Sequence, residues 1–116
     1  MIFQQFEDLG LLHLSYAVGC DKKKQIAIID PKRDVDVYLK YAEDHGLIIS
    51  HVFETHIHAD YVSGALHLAE RARASLVTSG YDKGEMYEVS FPHKDCYDQD
   101  SFQLGSIRLQ ALHTPG

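Results

Sequence analysis

The chain has 116 residues, of which 45% are hydrophobic and 24% charged, and a formal net charge of −6. This composition suits one compact domain spanning 1–116 rather than a disordered segment, and the acidic balance argues against a nucleic-acid partner, because phosphate binding needs a basic surface. No apolar run approaches the roughly 18 residues of a membrane span and the amino terminus lacks a basic-then-apolar signal, so no membrane association and a cytoplasmic location are the expectations.

Residues 1–7 and 11–18 read as two strands separated by Asp8-Leu9-Gly10. Lys22-Lys23-Lys24 then forms a solvated hairpin tip. Residues 25–29 are almost wholly apolar, as in a central strand, and Asp30-Pro31 closes it, since proline cannot continue a ladder and biases its predecessor to extended geometry. Asp34 is a credible N-cap for a helix running to about His45, with Val35, Tyr38, Leu39 and Ala42 facing inward and Gly46 as the stop.

Residues 47–54 are β-branched and aromatic and too few for a helix, so they read as a buried strand. Val62, Ala65, Leu66, Ala69 and Ala72 fall on one face at helical spacing. A short strand follows at 76–78 and a turn at Ser79-Gly80-Tyr81, while 81–100 has no clear period and reads as a surface loop carrying a little structure, its Asp82, Glu85 and Glu88 a solvated acidic run. Residues 101–104 and 107–112 flank Gly105-Ser106, a two-residue hairpin signal. Cys20 and Cys96 form no Cys-x-x-Cys, which implies neither a zinc knuckle nor a disulfide framework. Both are expected to be reduced and structural, with Asp95, Asp98 and Asp100 raising the pKa of the Cys96 thiol.

The chemistry concentrates in Thr55-His56-Ile57-His58-Ala59-Asp60-Tyr61-Val62-Ser63-Gly64, between the strand at 47–54 and the following helix. Strand-to-helix loops at the carboxyl end of a sheet are where open α/β folds hold ligands. In an extended segment residues two apart point the same way, so His56 and His58 can face one point and Asp60 can follow. Neutral imidazole is a good ligand for zinc and iron, and a nearby carboxylate can ligate or fix an imidazole tautomer. A lone loop histidine is ordinarily only solvated, and His13, His45, His51, His67 and His93, with no partner at ligand spacing, are read as surface or satisfied core. Ser63 is a helix-start residue rather than a nucleophile, since no base stands beside it.

This stretch resembles the His-x-His-x-Asp signature of the metallo-β-lactamase superfamily. Ile29-Asp30-Pro31, the helix start near Asp34-Val35-Asp36, Glu54-Thr55-His56 and the terminal Leu112-His113-Thr114-Pro115-Gly116 follow in that superfamily's usual order. The resemblance implies an α/β (α+β) fold, the N-terminal half of an αββα sandwich whose mixed sheet carries helices on its outer face. It also carries His113 over as a third imidazole ligand from another strand end, beside His56 and His58, with His58 and Asp60 in catalytic roles.

The superfamily pattern usually continues with a histidine where this chain has Tyr61, and a neutral phenol is a poor replacement ligand, so a second metal is not expected there. An aromatic at that position is familiar from the persulfide dioxygenase-like branch, whose members are often fused to rhodanese domains. That likeness implies one Fe(II), held by residues matching His56 and His113 plus an aspartate from later in the chain, with His58 and Asp60 holding water or orienting the ligands. The substrate would be a persulfide of a glutathione-like thiol. The alternative, a glyoxalase II-like thioester hydrolase, would use zinc with His58 as a direct ligand. A third reading is a catalytically silent half-domain or interaction module. Because the family domain is about twice this length, the inner sheet face is expected to be bare and to pair with a second copy as a homodimer.

Overall fold

The structure, a computed structural model, describes residues 1–8, 13–55, 64–79 and 94–112. Strands β1 (Ile2–Asp8), β2 (His13–Cys20), β3 (Gln25–Ile29), β4 (Ile48–Glu54), β5 (Ser75–Ser79) and β6 (Lys94–Cys96) form one six-stranded sheet in chain order. The first three pair antiparallel, and β3, β4, β5 and β6 run parallel. Helices α1 (Asp36–His45) and α2 (Gly64–Ala72) make the crossovers that parallel neighbours require, and β7 (Ser101–Leu104) and β8 (Ile107–Gln110) form a separate hairpin.

Strand β3 is covered on both faces, as its apolar sequence demands. Its Ile26 and Ile28 join Ala17, Tyr38, Ala42, Ala65, Leu68 and Leu76 in a core that includes both helices. Ala27, pointing the other way, packs with Val18 and Leu104 of the hairpin. Both helices therefore lie on one side of the sheet and the hairpin on the other. The second face is consequently not bare: Ala27 and Leu104 are fully buried and Phe102 nearly so, although Phe3 and Leu14 on the outer strands remain exposed. The face expected to be bare is thus covered in part by the hairpin.

A one-residue irregularity in β4 makes the two-sided packing possible. Ile26 pairs with Ile49 but Ala27 with His51, leaving Ser50 as the extra residue. The alternation resets there, so Ile49 and Val52, three apart, both enter the helix-side core, while His51 and Phe53 stack with each other and lie against Phe102 of the hairpin. Ser50 Oγ is tied in place by Gln25 Nε2 at 2.9 Å and by His51 Nδ1 at 2.8 Å.

Sequence and structure differ at several element ends. The helix α1 starts at Asp36 with Val35 as its cap and no side-chain cap bond, while Asp34 Oδ1 accepts from the Asp36 backbone N–H. Gly46, at φ 64°, ends the helix in the left-handed geometry expected of it. In α2 it is Leu68 that is fully buried, whereas Leu66 is only partly covered; Val62 lies outside the described residues. The little structure expected somewhere within 81–100 is, among the described residues, the strand β6, whose place the sequence did not mark because three residues with two charges carry no usable period.

Of the two free cysteines, Cys20 is 2% exposed with its Sγ 3.1 Å from Ser106 Oγ. The Ser106 hydroxyl, then the Ser106 and Lys23 backbone, outweigh burial and bring its pKa down to about 7. Cys96 moves up, as expected, though burial is the larger cause and Asp100 the next.

Tyr38 ties the helix layer to the sheet and to the β3–α1 connection: its fully buried hydroxyl lies 2.7 Å from Ser15 Oγ and accepts the Lys32 backbone N–H at 2.8 Å. Tyr38→Phe is expected to cost about 1–3 kcal/mol in urea unfolding, because it leaves buried partners unsatisfied. His51 supplies a pH dependence. Burial, and then the Lys94 charge, hold its pKa below 6.5, so the unfolded chain takes up the proton first. Stability is full above pH ~6.5 and falls as pH drops through the folded value; His51→Gln is expected to flatten that acid limb in denaturation midpoints measured across pH 5–8.

Candidate metal centre

The described residues that flank the candidate centre in sequence lie at the carboxyl rim of the parallel strands. Strand β4 delivers Glu54, 8% exposed, and then Thr55, to that rim. The hairpin fixes a second arrival there. Its turn sits over the start of β3, with the Gly105 backbone N–H donating to Gln25 Oε1 at 3.0 Å and Ser106 against Cys20. Its open end lies over the end of β4, with the Phe53 and Phe102 ring centroids 5.0 Å apart in an edge-to-face contact. Strand β8 thus runs back in the same sense as β4, and Ala111 is pinned by two backbone bonds, its N–H to Asp100 O at 2.7 Å and its carbonyl from Gln99 N–H at 2.8 Å. His113 follows two residues later in sequence, and His56 directly follows Thr55.

His56, His58, Asp60, Tyr61 and Ser63 in the loop, and His113 near the carboxyl terminus, lie outside the described residues. Among the described residues no cluster of three or more His, Cys, Asp or Glu could hold a metal ion, so a centre of the expected kind rests on the loop and on His113. The donor chemistry of that set suits a zinc or a non-haem iron ion. Of the histidines read as bland, His45 is exposed with Nδ1 bonded to Tyr41 O, His67 is exposed, and His51 is half-buried and hydrogen-bonded to Ser50; His93 lies outside the described residues.

The residue at this rim whose contacts sequence reading did not foresee is Asp30. It was expected to be extended because Pro31 follows, yet it sits at φ 53°, a region aspartate tolerates better than most residues. Its backbone N–H donates to Phe53 O at 2.8 Å, and its two carboxylate oxygens accept the Thr55 N–H at 2.7 Å and the Thr55 hydroxyl at 2.6 Å. On the far side of the loop, Gly64 is buried against the Lys32 carbonyl group and Arg33 Cα, and a Cβ there would collide with that carbonyl oxygen. The Ser-Gly at the helix start and the Asp-Pro after the strand were the available signals.

The sequence model described as the metallo-beta-lactamase superfamily matches residues 10–115. A hydroxyacylglutathione hydrolase of Pelagibacter ubique is 33% identical over 97 residues, covering 83% of this chain and 39% of its own length. Among solved structures, a metallo-beta-lactamase from Staphylococcus aureus superposes with a TM-score of 0.89 at 38% identity, covering 99% of this chain and 34% of that one. ETHE1 from Myxococcus xanthus does so with a TM-score of 0.82 at 32% identity, covering all of this chain and 49% of that one. The chain spans about a third to two-fifths of the length of the curated relatives it matches first, 39% of one and 32% of the next.

No described helix is long and apolar enough to cross a membrane. Gly64→Ala is expected to cost about 1–3 kcal/mol, since the colliding atom is backbone and cannot rotate away; the loss should appear in thermal unfolding of the chain without added metal.

Proposed function

From a chain that belongs to the metallo-beta-lactamase superfamily, we propose that residues 1–116 form the N-terminal half of a metal-dependent domain of the persulfide dioxygenase-like branch. The observation that carries this reading is Tyr61, where the superfamily pattern usually has a metal-binding histidine. Losing that ligand favours a single ion over a pair. The ETHE1 likeness, which runs over the whole chain, fits the same branch.

In this reading His56 and His113 would hold one Fe(II), together with a carboxylate from the remainder of the domain. The ion, when bound, supplies open positions at which a persulfide and O₂ meet. This chain's residues would supply orientation: His58 and Asp60 would hold water or fix the imidazoles. The overall change is a persulfide plus O₂ and water giving sulfite and the regenerated thiol.

The likeness to hydroxyacylglutathione hydrolases favours a second reading, hydrolysis of a glutathione thioester, in which His58 would be a direct ligand to an ion that would lower the pKa of water. A catalytically silent half-domain is the third. Metal analysis and oxygen-electrode assays, on this chain and on one extended past Gly116 to its relatives' length, separate them. The proposal expects about one iron per chain and persulfide-dependent oxygen uptake in the longer form. Two zinc ions with thioester turnover would replace it with the hydrolase, and neither metal nor turnover would leave the silent module.

A further inference from the structure

The extra residue at Ser50 is what turns His51 toward the hairpin. There the imidazole is half-buried, stacked on Phe53 with ring centroids 6.0 Å apart and meeting the Phe102 ring edge-on at 6.0 Å. We infer that His51 is a proton-sensitive latch for the β7–β8 hairpin: neutral, it seats the hairpin on the sheet; protonated, it releases the hairpin as a layer while the helix side stays folded. The latch acts on the hairpin itself and is independent of any metal.

The hairpin's attachments converge on this one side chain. Leu104 is buried against Ala27 and Val18 in the middle of the layer. At the open end Phe102 closes over His51 and Phe53. At the turn the Gly105 N–H donates to Gln25 Oε1 at 3.0 Å, and the same Gln25 donates from Nε2 to Ser50 Oγ at 2.9 Å. Ser50 Oγ in turn lies 2.8 Å from His51 Nδ1. One imidazole thus meets the open end directly and the turn through two side chains.

The neutral ring suits this place, because an unprotonated Nδ1 accepts the Ser50 hydroxyl while the ring face packs on Phe53. A proton makes both ring nitrogens donors, and the Ser50 hydroxyl is then left with Ile26 O, 3.4 Å away. It also sets a charge among apolar rings, where hydration improves when the hairpin lifts. Phe102 offers little compensation, since Lys94 Nζ already stands 5.2 Å from its centroid and adds a like charge. Among the described side chains no carboxylate offsets that charge. Strands β3, β5 and β7 carry no ionisable side chain, Arg108 of β8 is exposed in the outward row with Gln103, and Glu54 falls in the helix-side row of β4 with Val52. Cys96, two residues from Lys94, has its thiol pKa raised by burial and stays neutral. Burial, and then Lys94, accordingly hold the imidazole pKa below 6.5. Lifting the hairpin relieves that depression, so the open form takes up the proton first and opening grows as pH falls below ~6.5.

The test is amide hydrogen exchange, expressed as protection relative to the free peptide so that the intrinsic pH dependence drops out, beside an NMR titration of the His51 ring. The Gly105 amide is the reporter, because its bond crosses from the hairpin to the sheet. Its protection should fall by ~3-fold or more between about pH 8 and pH 5, and should be insensitive to urea below ~1 M, as local opening requires. The amides of Ile28 and Val52 should remain better protected throughout. His51→Phe, which keeps the ring contacts, and His51→Gln, which keeps a partner for Ser50, should each flatten the acid loss at Gly105. Lys94→Gln, at an exposed position, should raise the His51 titration midpoint and shrink that loss.

Gly105 protection that is level across pH in the wild type would overturn the latch, and so would an acid loss that persists in a folded His51→Phe or His51→Gln. Gly105 exchange that matches Ile28 and Val52 and accelerates with urea as they do would show that the hairpin opens only when the whole sheet unfolds, and would overturn it equally. Should neither His51 variant fold, an acid loss and a His51 midpoint both unmoved in Lys94→Gln would do the same.

Discussion

The structure depends on a strand that has no solvent face. Once β3 is flanked by β2 and β4, with Ile26 and Ile28 against the helices and Ala27 against the hairpin, both layers are fixed relative to the sheet. Burial on this scale, roughly 25 cal/mol for each Å² of apolar surface, exceeds anything the exposed ion pairs contribute. The Arg71–Asp36 link between the two helices, at 2.7 Å but exposed on both sides, is an accessory to that packing. The rim inherits its order from the same strand, because Asp30 directly follows the end of β3.

Much of the architecture could be read from periodicity. The apolar run of β3, the helical spacing of Tyr38 with Ala42 and of Ala65 with Ala69, and the Gly105-Ser106 turn each carry a local signal that the fold obeys. What escaped was set by pairing. The extra residue at Ser50 cannot be recognised without knowing that Ile26 faces Ile49 and Ala27 faces His51. The edge strand β6 exists because β5 offers it a partner, not because its residues prefer to be extended. Asp30 was read through the steric bias of the following proline, whereas three hydrogen bonds to the end of β4 hold it in the opposite region.

The candidate site shows the same division. Two imidazoles and a carboxylate at alternate positions are visible to anyone reading the letters, and so is the tyrosine that follows. The approach of β8 to the rim that β4 reaches is a tertiary fact, legible only through the contacts of Phe53 with Phe102 and of Gln25 with Gly105. The family explains why these strands are arranged so; the chain's own hydrogen bonds explain how the arrangement is kept.

The Gly105-Ser106 turn lies directly over Cys20, its would-be Cβ pressing on Lys23 and on the cysteine itself. A thiol reagent in solution has no path to that sulfur until the turn lifts. The rate at which this one atom is labelled therefore reports how often the cover over it opens.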